Sequence, residues 1–419
     1  MAHSQECPAL SAAEASALSL AGAIERAGVC HPDVRVAAGA LAAAGADVIT
    51  SGQSPNPQLT VGAASVGKDL GGRSFFNKTF DHSVRVDQTV ERGGKPALRR
   101  AASEALREAA RADLLEARRR SRQTVTTAYH DLAATLARLA ETEASLVLAR
   151  AAQRAQGLRV KTGDVAPIEA TRLALDVIHV QGDLRQAEAD SRAARGLLAA
   201  MLGAEAQAEL ITPTDSWPPS ARETPRDASV GNPASTPLSD GRRPDVVAAQ
   251  SRLTAARESR DLARALKTRD VNVGLQFDRW PISQTNTSGT GNTVSISVSI
   301  PLFIRHAYEG EAARAEADVN NAEEALRRAQ LSAYSDLAQA QSHWAAASAR
   351  RVLAADELTA AAEQVAAAAE LAYRRGAISL LEVLDARRSL RAARIERINA
   401  EADAAKAAAE LEAARFTVP

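Results

Sequence analysis

The chain carries an internal repeat, and this repeat constrains the fold more than any single motif does. Segments of the first half return in order in the second half at a spacing of about 212 positions. The matching pairs are 31–38 with 243–249, 59–62 with 271–274, 84–86 with 296–298, and 160–163 with 373–376. Because the order and the spacing are both kept, the sequence predicts two structurally equivalent halves.

The two halves meet at a segment rich in proline, serine and threonine. We therefore predict a first repeat over 1–211, a linker over 212–241 and a second repeat over 242–419. The linker prolines are Pro213, Pro218, Pro219, Pro225, Pro233 and Pro237. Such a composition cannot sustain a helix, so residues 213–240 are expected to be mobile and dispensable for folding.

Each half has the same predicted order: a helix, two short strands, a very long helix and a shorter return helix. Residues 293–300 alternate strictly between hydroxyl and apolar side chains, which is the period of a strand. The predicted strands are about 57–66, 80–90, 271–280 and 293–303. The predicted helices are about 11–49 (broken near Pro32), 96–160 and 167–202, then 243–268, 307–374 and 379–415.

The composition favours long, closely packed helices over an ordinary mixed core. Hydrophobic residues make up 46% of the chain but aromatic residues only 3%, and alanine is abundant. The formal net charge is +0, which removes the electrostatic case for a nucleic-acid partner. With only Cys7 and Cys30, a disulfide-rich scaffold and a zinc site built from four cysteines are excluded.

The four strands pose a physical problem, because two hairpins on a helical rod would be barely stable and would leave open edges. Strands of about ten residues match the length that a tilted strand needs to cross a bilayer. If they cross a membrane, the barrel must close by oligomerisation, and three chains would supply twelve strands. The aromatic residues beside these strands suit a membrane boundary: Phe75, Phe76, Phe80, Phe277, Trp280 and Phe303. The alternative is a small soluble cap on a coiled coil.

The sequence contains none of the motifs of nucleotide, zinc or thiol chemistry. Its seven histidines are scattered, and no two stand at ligand spacing on a helix. We therefore expect no enzymatic activity, no cofactor and no bound metal. No stretch reaches the roughly 18 consecutive apolar residues of a membrane-crossing helix. No signal peptide is visible either, which indicates the cytoplasm unless a leader was removed or lies upstream.

Several motifs resemble the TolC-type outer-membrane efflux channels. Residues 18–27 with 32–34 resemble the N-terminal helix of that family, and 242–249 resemble its counterpart in the second half. The most specific stretch is 373–376 followed by 379–386, Tyr-Arg-Arg-Gly and Ser-Leu-Leu-Glu-Val-Leu-Asp-Ala. The resemblance covers nearly the whole chain. It implies a mostly α fold with four transmembrane strands, closed in a homotrimer as a twelve-stranded barrel with a periplasmic helical tunnel.

A junction motif resembles the heavy-metal branch of this family. It comprises Gln88, Glu91, Gly93, Gly94 and Lys95, at the passage from the second strand to the long helix. This resemblance implies export of divalent cations of the cobalt, nickel, zinc and cadmium class, with a periplasmic membrane-fusion adaptor and an inner-membrane RND-type pump as partners. It also implies outer-membrane lipid contact and an outer-membrane location with a periplasmic helical extension. Drug or organic-compound efflux, a periplasmic adaptor and a soluble coiled-coil scaffold remain alternatives.

The resemblance also implies roles for residues at the turns between the helices. The turns formed by Lys161, Thr162, Gly163 and Asp164, and by Arg374, Arg375 and Gly376, match the tips where the adaptor docks. Glu382 and Asp385 match positions where some members place a ring of acids at a pore constriction, although both could equally lie on an ordinary solvated face. Many relatives carry a lipidated N-terminal cysteine; Cys7 is near that place, but no lipobox precedes it.

Overall fold

A computed structural model describes residues 7–64, 80–163, 165–218, 243–282 and 291–416. The chain forms two compact units, and both sequence repeats contribute to each of them. The helical unit comprises Met1–Ala40, Ala112–Val246 and Ala329–Pro419, and the sheet unit comprises Leu41–Arg111 and Val247–Arg328.

The order of elements is the same in the two halves, with extra short helices at the start of the first. The first half contains α1 (Ala12–Ser16), α2 (Leu20–Cys30), α3 (Pro32–Ser51), β1 (Gln58–Ala64), β2 (Asp81–Val90), α4 (Lys95–Lys161) and α5 (Pro167–Leu202). The second half contains α6 (Pro244–Ala265), β3 (Val271–Trp280), β4 (Gly291–Ser299), α7 (Glu309–Val352), α8 (Thr359–Arg374) and α9 (Leu380–Arg415).

The four described strands form one antiparallel sheet in the order β1-β2-β3-β4. The central pairing joins the two repeats, because β2 of the first half lies beside β3 of the second, with Val84 opposite Phe277. β1 and β4 therefore form the two edges. Within the described residues, no strand pairs with the outer side of either edge.

The period-two alternation divides the sheet into an apolar and a polar face. On the apolar face, residues that stand opposite one another across the four strands form two neighbouring rows, and every residue in both rows is apolar. These rows are Val61, Val84, Phe277 and Val294, and Leu59, Val86, Leu275 and Ile296. The apolar side chains are exposed in the isolated chain, from 41% at Val84 to 76% at Ile296.

The core of the helical unit is built from α4, α5 and the N-terminal segment. On α4, Val125, Tyr129 and Leu132 follow the four-three spacing of one helix face and are almost fully buried. Leu198 and Leu202 of α5 pack into the same cluster. Small residues of the N-terminal helices complete it, because alanine lets helix axes approach closely; these are Ala15, Ala23 and Ala27.

The start of the predicted linker is ordered, which corrects the expectation of a loose segment from residue 212. Leu18 donates its N–H to the Thr212 carbonyl at 3.1 Å, and it accepts from the Thr214 N–H at 3.0 Å. The Asp215 carboxylate accepts from the Tyr129 hydroxyl and from the Leu20 N–H, both at 2.7 Å. The proline and serine content of this segment predicts no order, and the sequence gives no local sign of these contacts because each partner lies more than 80 positions away. The remainder of the predicted linker, 219–241, lies outside the described residues.

The second long helix is interrupted, whereas the sequence predicted one helix over about 307–374. A π-helical turn, Leu353–Leu358, separates α7 from α8. The Thr359 hydroxyl, which is buried, donates to the Ala354 carbonyl at 2.7 Å. A threonine hydroxyl that bonds backward within a helix competes with the regular ladder, and this gives the interruption a local cause.

The N-terminal region forms three helices. The predicted break near Pro32 lies between the end of α2 at Cys30 and the start of α3 at Pro32. A disulfide joins Cys7, before α1, to Cys30 at the end of α2. This bond uses the sulfur atom that lipidation of Cys7 would need, and such bonds persist in oxidising compartments.

Among the described residues, one stretch, Leu20–Ser51, is long and apolar enough by composition to cross a membrane, contrary to the expectation from sequence.

Tyr129 provides a test of the ordered segment. Burial and the nearby Asp215 carboxylate raise the pKa of the Tyr129 phenol, so it remains a hydrogen-bond donor over the accessible pH range. We expect Tyr129→Phe to lower the free energy of unfolding by about 1–3 kcal/mol, because Asp215 loses a donor in a part-buried site. Urea unfolding of the detergent-solubilised protein measures this. Tyr334→Phe, at an exposed tyrosine, is the control; equal stability of both variants would contradict the contact.

Candidate functional site

The polar face of the sheet is occupied by an ion pair and by hydroxyl groups. Arg85 donates to both carboxylate oxygens of Asp87, at 2.7 and 2.8 Å, and its Nη2 also donates to the Ser297 hydroxyl at 3.2 Å. These groups lie over Gly274, where a Cβ atom would stand 2.6 Å from the Asp87 carboxylate. Serine and threonine line the rest of this face on β4. The sheet therefore has one face suited to water and one suited to an apolar medium.

The structure brings the predicted junction residues together at the end of β2. Glu91 accepts two hydrogen bonds from the Arg99 guanidinium, at 2.8 and 3.0 Å. These bonds hold the pKa of the Glu91 carboxyl below its usual value. Arg99 also donates to the Ser51 carbonyl at the end of α3, and Gln88 donates to the Pro55 carbonyl, both at 2.9 Å. The junction thus ties the start of α4 to the chain before β1.

Lys95 connects this junction to the second repeat. Its ammonium group is buried, and it donates to the Asp270 carboxylate and to the Thr268 carbonyl, both at 2.8 Å. Burial alone would raise the pKa of the Asp270 carboxyl, but the donors Lys95 and the Arg92 N–H hold it below its usual value. Sequence reasoning selected Lys95 but missed Arg99, Thr268 and Asp270. The separation of 175 positions between Lys95 and Asp270 gave no local signal.

The two glycines of the junction have different surroundings. Gly93 and Gly94 both lie in the left-handed region, with φ of 74° and 72°. A Cβ atom on Gly93 would stand 2.9 Å from the Thr268 Cβ atom, whereas one on Gly94 would meet nothing within 4 Å. Both positions favour glycine for conformation, but only Gly93 is also required for close packing.

The predicted docking turns lie at the ends of α4 and α8. Lys161, Thr162 and Gly163 are exposed at the first turn, and Arg374, Arg375 and Gly376 are exposed at the second. Asp164 lies outside the described residues. The structure brings the two turns close together, because Leu173 of α5 packs with Leu380 and Leu384 of α9 beneath them.

A tyrosine adds polar contacts between the same turns. The Tyr373 hydroxyl accepts from the Arg159 guanidinium at 3.2 Å and lies 3.5 Å from the Gln156 amide oxygen. Gln156 in turn donates to the Glu169 carboxylate. These contacts link the hairpin of the first repeat to that of the second. Tyr373 belongs to the motif 373–376, but nothing in the sequence near it indicates these contacts.

Glu382 and Asp385 are both exposed on the first turns of α9, while Val383 and Leu384 between them are buried. The Glu382 carboxylate accepts from the Ser379 N–H at 2.8 Å, which caps the helix. Asp385 has no hydrogen bond or ion pair within the described chain. The spacing of Ser379 and Glu382, a serine followed three positions later by a glutamate, is the local signal for this capping role.

A series of arginines on α9 was also missed. Arg387 pairs with Glu370 of α8, Arg388 with Asp176 of α5, and Arg391 with Asp183 of α5. Arg394 contacts both Glu141 of α4 and Glu363 of α8, at 3.3 and 3.1 Å. Each exposed pair contributes little alone, about 0–1 kcal/mol. Together they fix α9 against both hairpins of the helical unit.

Across the described ranges, no group of three or more His, Cys, Asp and Glu side chains could hold a metal ion. The residues named above are therefore capping, pairing and surface groups. Their arrangement provides two faces on the sheet and two adjoining helical turns.

The junction glycines provide a matched pair of variants. We expect Gly93→Ala to destabilise the sheet unit more than Gly94→Ala does. Both variants incur backbone strain of about 1–3 kcal/mol, but only the first also displaces Thr268. Thermal unfolding of the detergent-solubilised protein followed by circular dichroism compares them. Equal unfolding temperatures would show that the contact with Thr268 does not limit packing.

The amino-acid sequence matches known proteins over part of its length. Residues 238–415 match the family model described as "Outer membrane efflux protein". A pyoverdine export outer membrane protein, OpmQ of Pseudomonas putida, is 29% identical over 150 residues. That alignment covers 36% of this chain and 32% of the relative, so it spans about a third of the relative's length.

The fold matches solved structures over nearly the whole chain. A membrane protein from Pseudomonas aeruginosa has a TM-score of 0.80 at 20% identity, with 95% of this chain and 90% of the other covered. The outer membrane protein VceC from Vibrio cholerae has a TM-score of 0.74 at 20% identity, with 95% and 96% covered. At this level of identity the structural matches establish the fold.

Sequence and fold agree on one kind of protein. The mostly helical fold with a small antiparallel sheet is confirmed, and so is the predicted location, the outer membrane with a periplasmic helical extension. The predicted resemblance is therefore confirmed: the chain has the fold of the TolC-type outer-membrane efflux channels, and residues 238–415 match the outer membrane efflux protein family.

Proposed function

We propose that this chain forms the outer-membrane conduit of a tripartite, proton-driven efflux system that exports divalent heavy-metal cations. The conduit is a homotrimer in which three four-stranded sheets close as a twelve-stranded barrel. It is passive: it has no catalytic residue and needs no bound metal to fold. The cobalt, nickel, zinc and cadmium class is the proposed cargo.

The observation that carries the proposal is the two-faced sheet with two open edges. In hydrocarbon, every backbone N–H and C=O group must be paired, and an exposed edge cannot remain. The outer edges of β1 and β4 are unpaired within the described chain, so a neighbouring copy is the natural partner for each. Closure of the ring would direct the apolar face toward lipid and the serine-rich face toward water.

The proposed partners follow from the two turns of the helical unit. The adjoining turns at Lys161–Gly163 and Arg374–Gly376 expose their side chains and are linked by Tyr373. We propose these turns as the docking surface of a periplasmic membrane-fusion adaptor, which connects the conduit to an inner-membrane RND-type pump. The pump selects the cargo in such an arrangement.

Two features support a metal cargo. The junction of Gln88, Glu91, Gly93, Gly94 and Lys95 resembles that of the heavy-metal branch. Two of its charged side chains are held in ion pairs, Glu91 with Arg99 and Lys95 with Asp270. Glu382 and Asp385 are exposed near the second turn. In a trimer, these two positions would place six carboxylates around the axis, where they would favour cations.

A second cargo class is favoured by one comparison. The relative OpmQ is named for pyoverdine export, and its similarity extends over 36% of this chain. Export of organic compounds through the same fold is therefore the alternative, and the two cargo classes predict different phenotypes.

Deletion of the gene in its native host distinguishes the two classes. We expect lower tolerance to cobalt, nickel, zinc or cadmium, measured as growth inhibition, with restoration by the intact gene. Complementation with Ile296→Lys should fail, because a lysine on the lipid-facing side costs about 2–4 kcal/mol near the membrane centre. Ser295→Lys, one position along on the polar face, should restore tolerance.

Two outcomes would contradict this proposal. Unchanged metal tolerance together with greater sensitivity to organic compounds would assign the chain to organic export. Equal complementation by the two lysine variants would instead show that the apolar face does not contact lipid.

The acids of α9 are tested by charge removal at constant size. Glu382→Gln with Asp385→Asn should weaken cation selectivity and block by divalent ions in single-channel recordings, because up to six charges leave the lumen of a trimer. Glutamine can still cap α9, so the fold should be retained. Glu357→Gln, an exposed carboxylate on the π-helical turn, is the control. Identical selectivity in the double variant and the parent would place these acids on a solvated outer face.

A further inference from the structure

The helical unit contains a cavity of about 330 Å³ that none of the proposed conduit surfaces uses. Its walls come from α4, α9, the end of α7 and the π-helical turn, and Leu20 and Pro218 also line it. Most of the wall on α9 is alanine, including Ala404, Ala405 and Ala408. A cavity of this size matches the lower range of small-molecule sites, which are mostly apolar with a few polar groups.

Two of the polar groups in this cavity are buried without hydrogen bonds. His130 of α4 is 8% exposed and Glu401 of α9 is 9% exposed. Within the described chain, neither side chain has a hydrogen-bond partner, and the nearest cation to Glu401 is the Arg397 Nε atom at 3.7 Å. A buried carboxylate normally has donors, because burial without them costs free energy. Glu401 thus forms an ion pair with Arg397 but accepts no hydrogen bond within the described chain.

The charges around the cavity favour a cation. Burial lowers the pKa of the His130 imidazole, so this side chain is neutral at pH 7. Burial raises the pKa of the Glu401 carboxyl, and the charges of Arg397 and Arg351 oppose this rise. The other charged groups of the wall are Arg351, Asp356 and Glu412. Carboxylates thus outnumber guanidinium groups at the wall.

The π-helical turn gives the cavity part of its shape. Ala355 and Asp356 line the cavity from this turn, and Val352 lines it from the end of α7. The buried Thr359 hydroxyl donates to the Ala354 carbonyl within the same turn. Single π-helical turns interrupt α-helices at a cost and occur often at functional sites. The turn contributes an apolar surface and one carboxylate, Asp356, to the same cavity wall as Glu401.

We propose that this cavity binds a small organic cation, with a protonated amine donating to Glu401 and an apolar body packed against the alanines of α9. An inorganic metal ion fits less well, since no group of three ligand side chains exists within the described residues. An organic anion would meet the carboxylate of Glu401. The proposal rests on residues of one chain and does not depend on the cargo of the conduit.

Binding of three probes of similar shape tests the proposal. The probes are 2-phenylethylammonium, 2-phenylethanol and 3-phenylpropionate, titrated by calorimetry into the full chain purified in detergent. We expect the ammonium compound to bind at least about tenfold more tightly than the alcohol, and the carboxylate not to bind. Glu401→Gln should remove this preference, whereas Glu410→Gln, a carboxylate of the same helix outside the cavity wall, should retain it.

A second variant tests whether the probes occupy the cavity itself. Ala405→Leu fills the cavity without changing charge and should weaken binding of the ammonium probe and of the alcohol alike. The circular dichroism and particle mass of each variant are compared with the parent. Equal affinity for all three probes, no binding of any probe, or an ammonium preference that persists in Glu401→Gln would each overturn the proposal.

Discussion

The structure depends on one constraint, the pairing of backbone groups at the edges of its sheet. Four strands from two repeats form a sheet whose faces differ in polarity, with Val84 and Phe277 in one apolar row. Such a sheet cannot stand alone in hydrocarbon, because its edge groups would lack partners, and its apolar face would be unfavourable in water. Closure with further copies would satisfy both requirements at once. The internal repeat makes β1 equivalent to β3 and β2 equivalent to β4. A pairing of β4 with β1 of another copy would therefore repeat the pairing of β2 with β3 within one chain.

Ion pairs contribute to the connection between the strands and the long helix α4. Lys95 reaches from the start of α4 to Asp270 before β3, and Arg99 reaches from α4 to Glu91. Breaking one partner of a buried pair leaves an uncompensated charge, which is costly. In the helical unit the arrangement differs: alanines allow close approach of the helices, and arginines of α9 pair with acids on both hairpins.

The repeated order of elements and the faces of the sheet followed from periodicity, because both are local properties of the sequence. Contacts between distant positions did not, as the Lys95–Asp270 and Tyr129–Asp215 pairs illustrate. Two other features had local signals that were passed over. The spacing of Ser379 and Glu382 is that of a helix cap, and Thr359 stands where a hydroxyl can bond back to the helix. Of the two candidate acids, Glu382 thus has a structural role that charge alone did not reveal.

The most direct test of this account is the mass of the purified particle. The chain has a mass of 44.0 kDa, and multi-angle light scattering in mild detergent reports the protein mass after subtraction of the bound detergent. A particle of three chains is the predicted result, because three copies remove every open edge of the sheet. A stable particle of one chain, with its sheet intact by circular dichroism, would contradict the account.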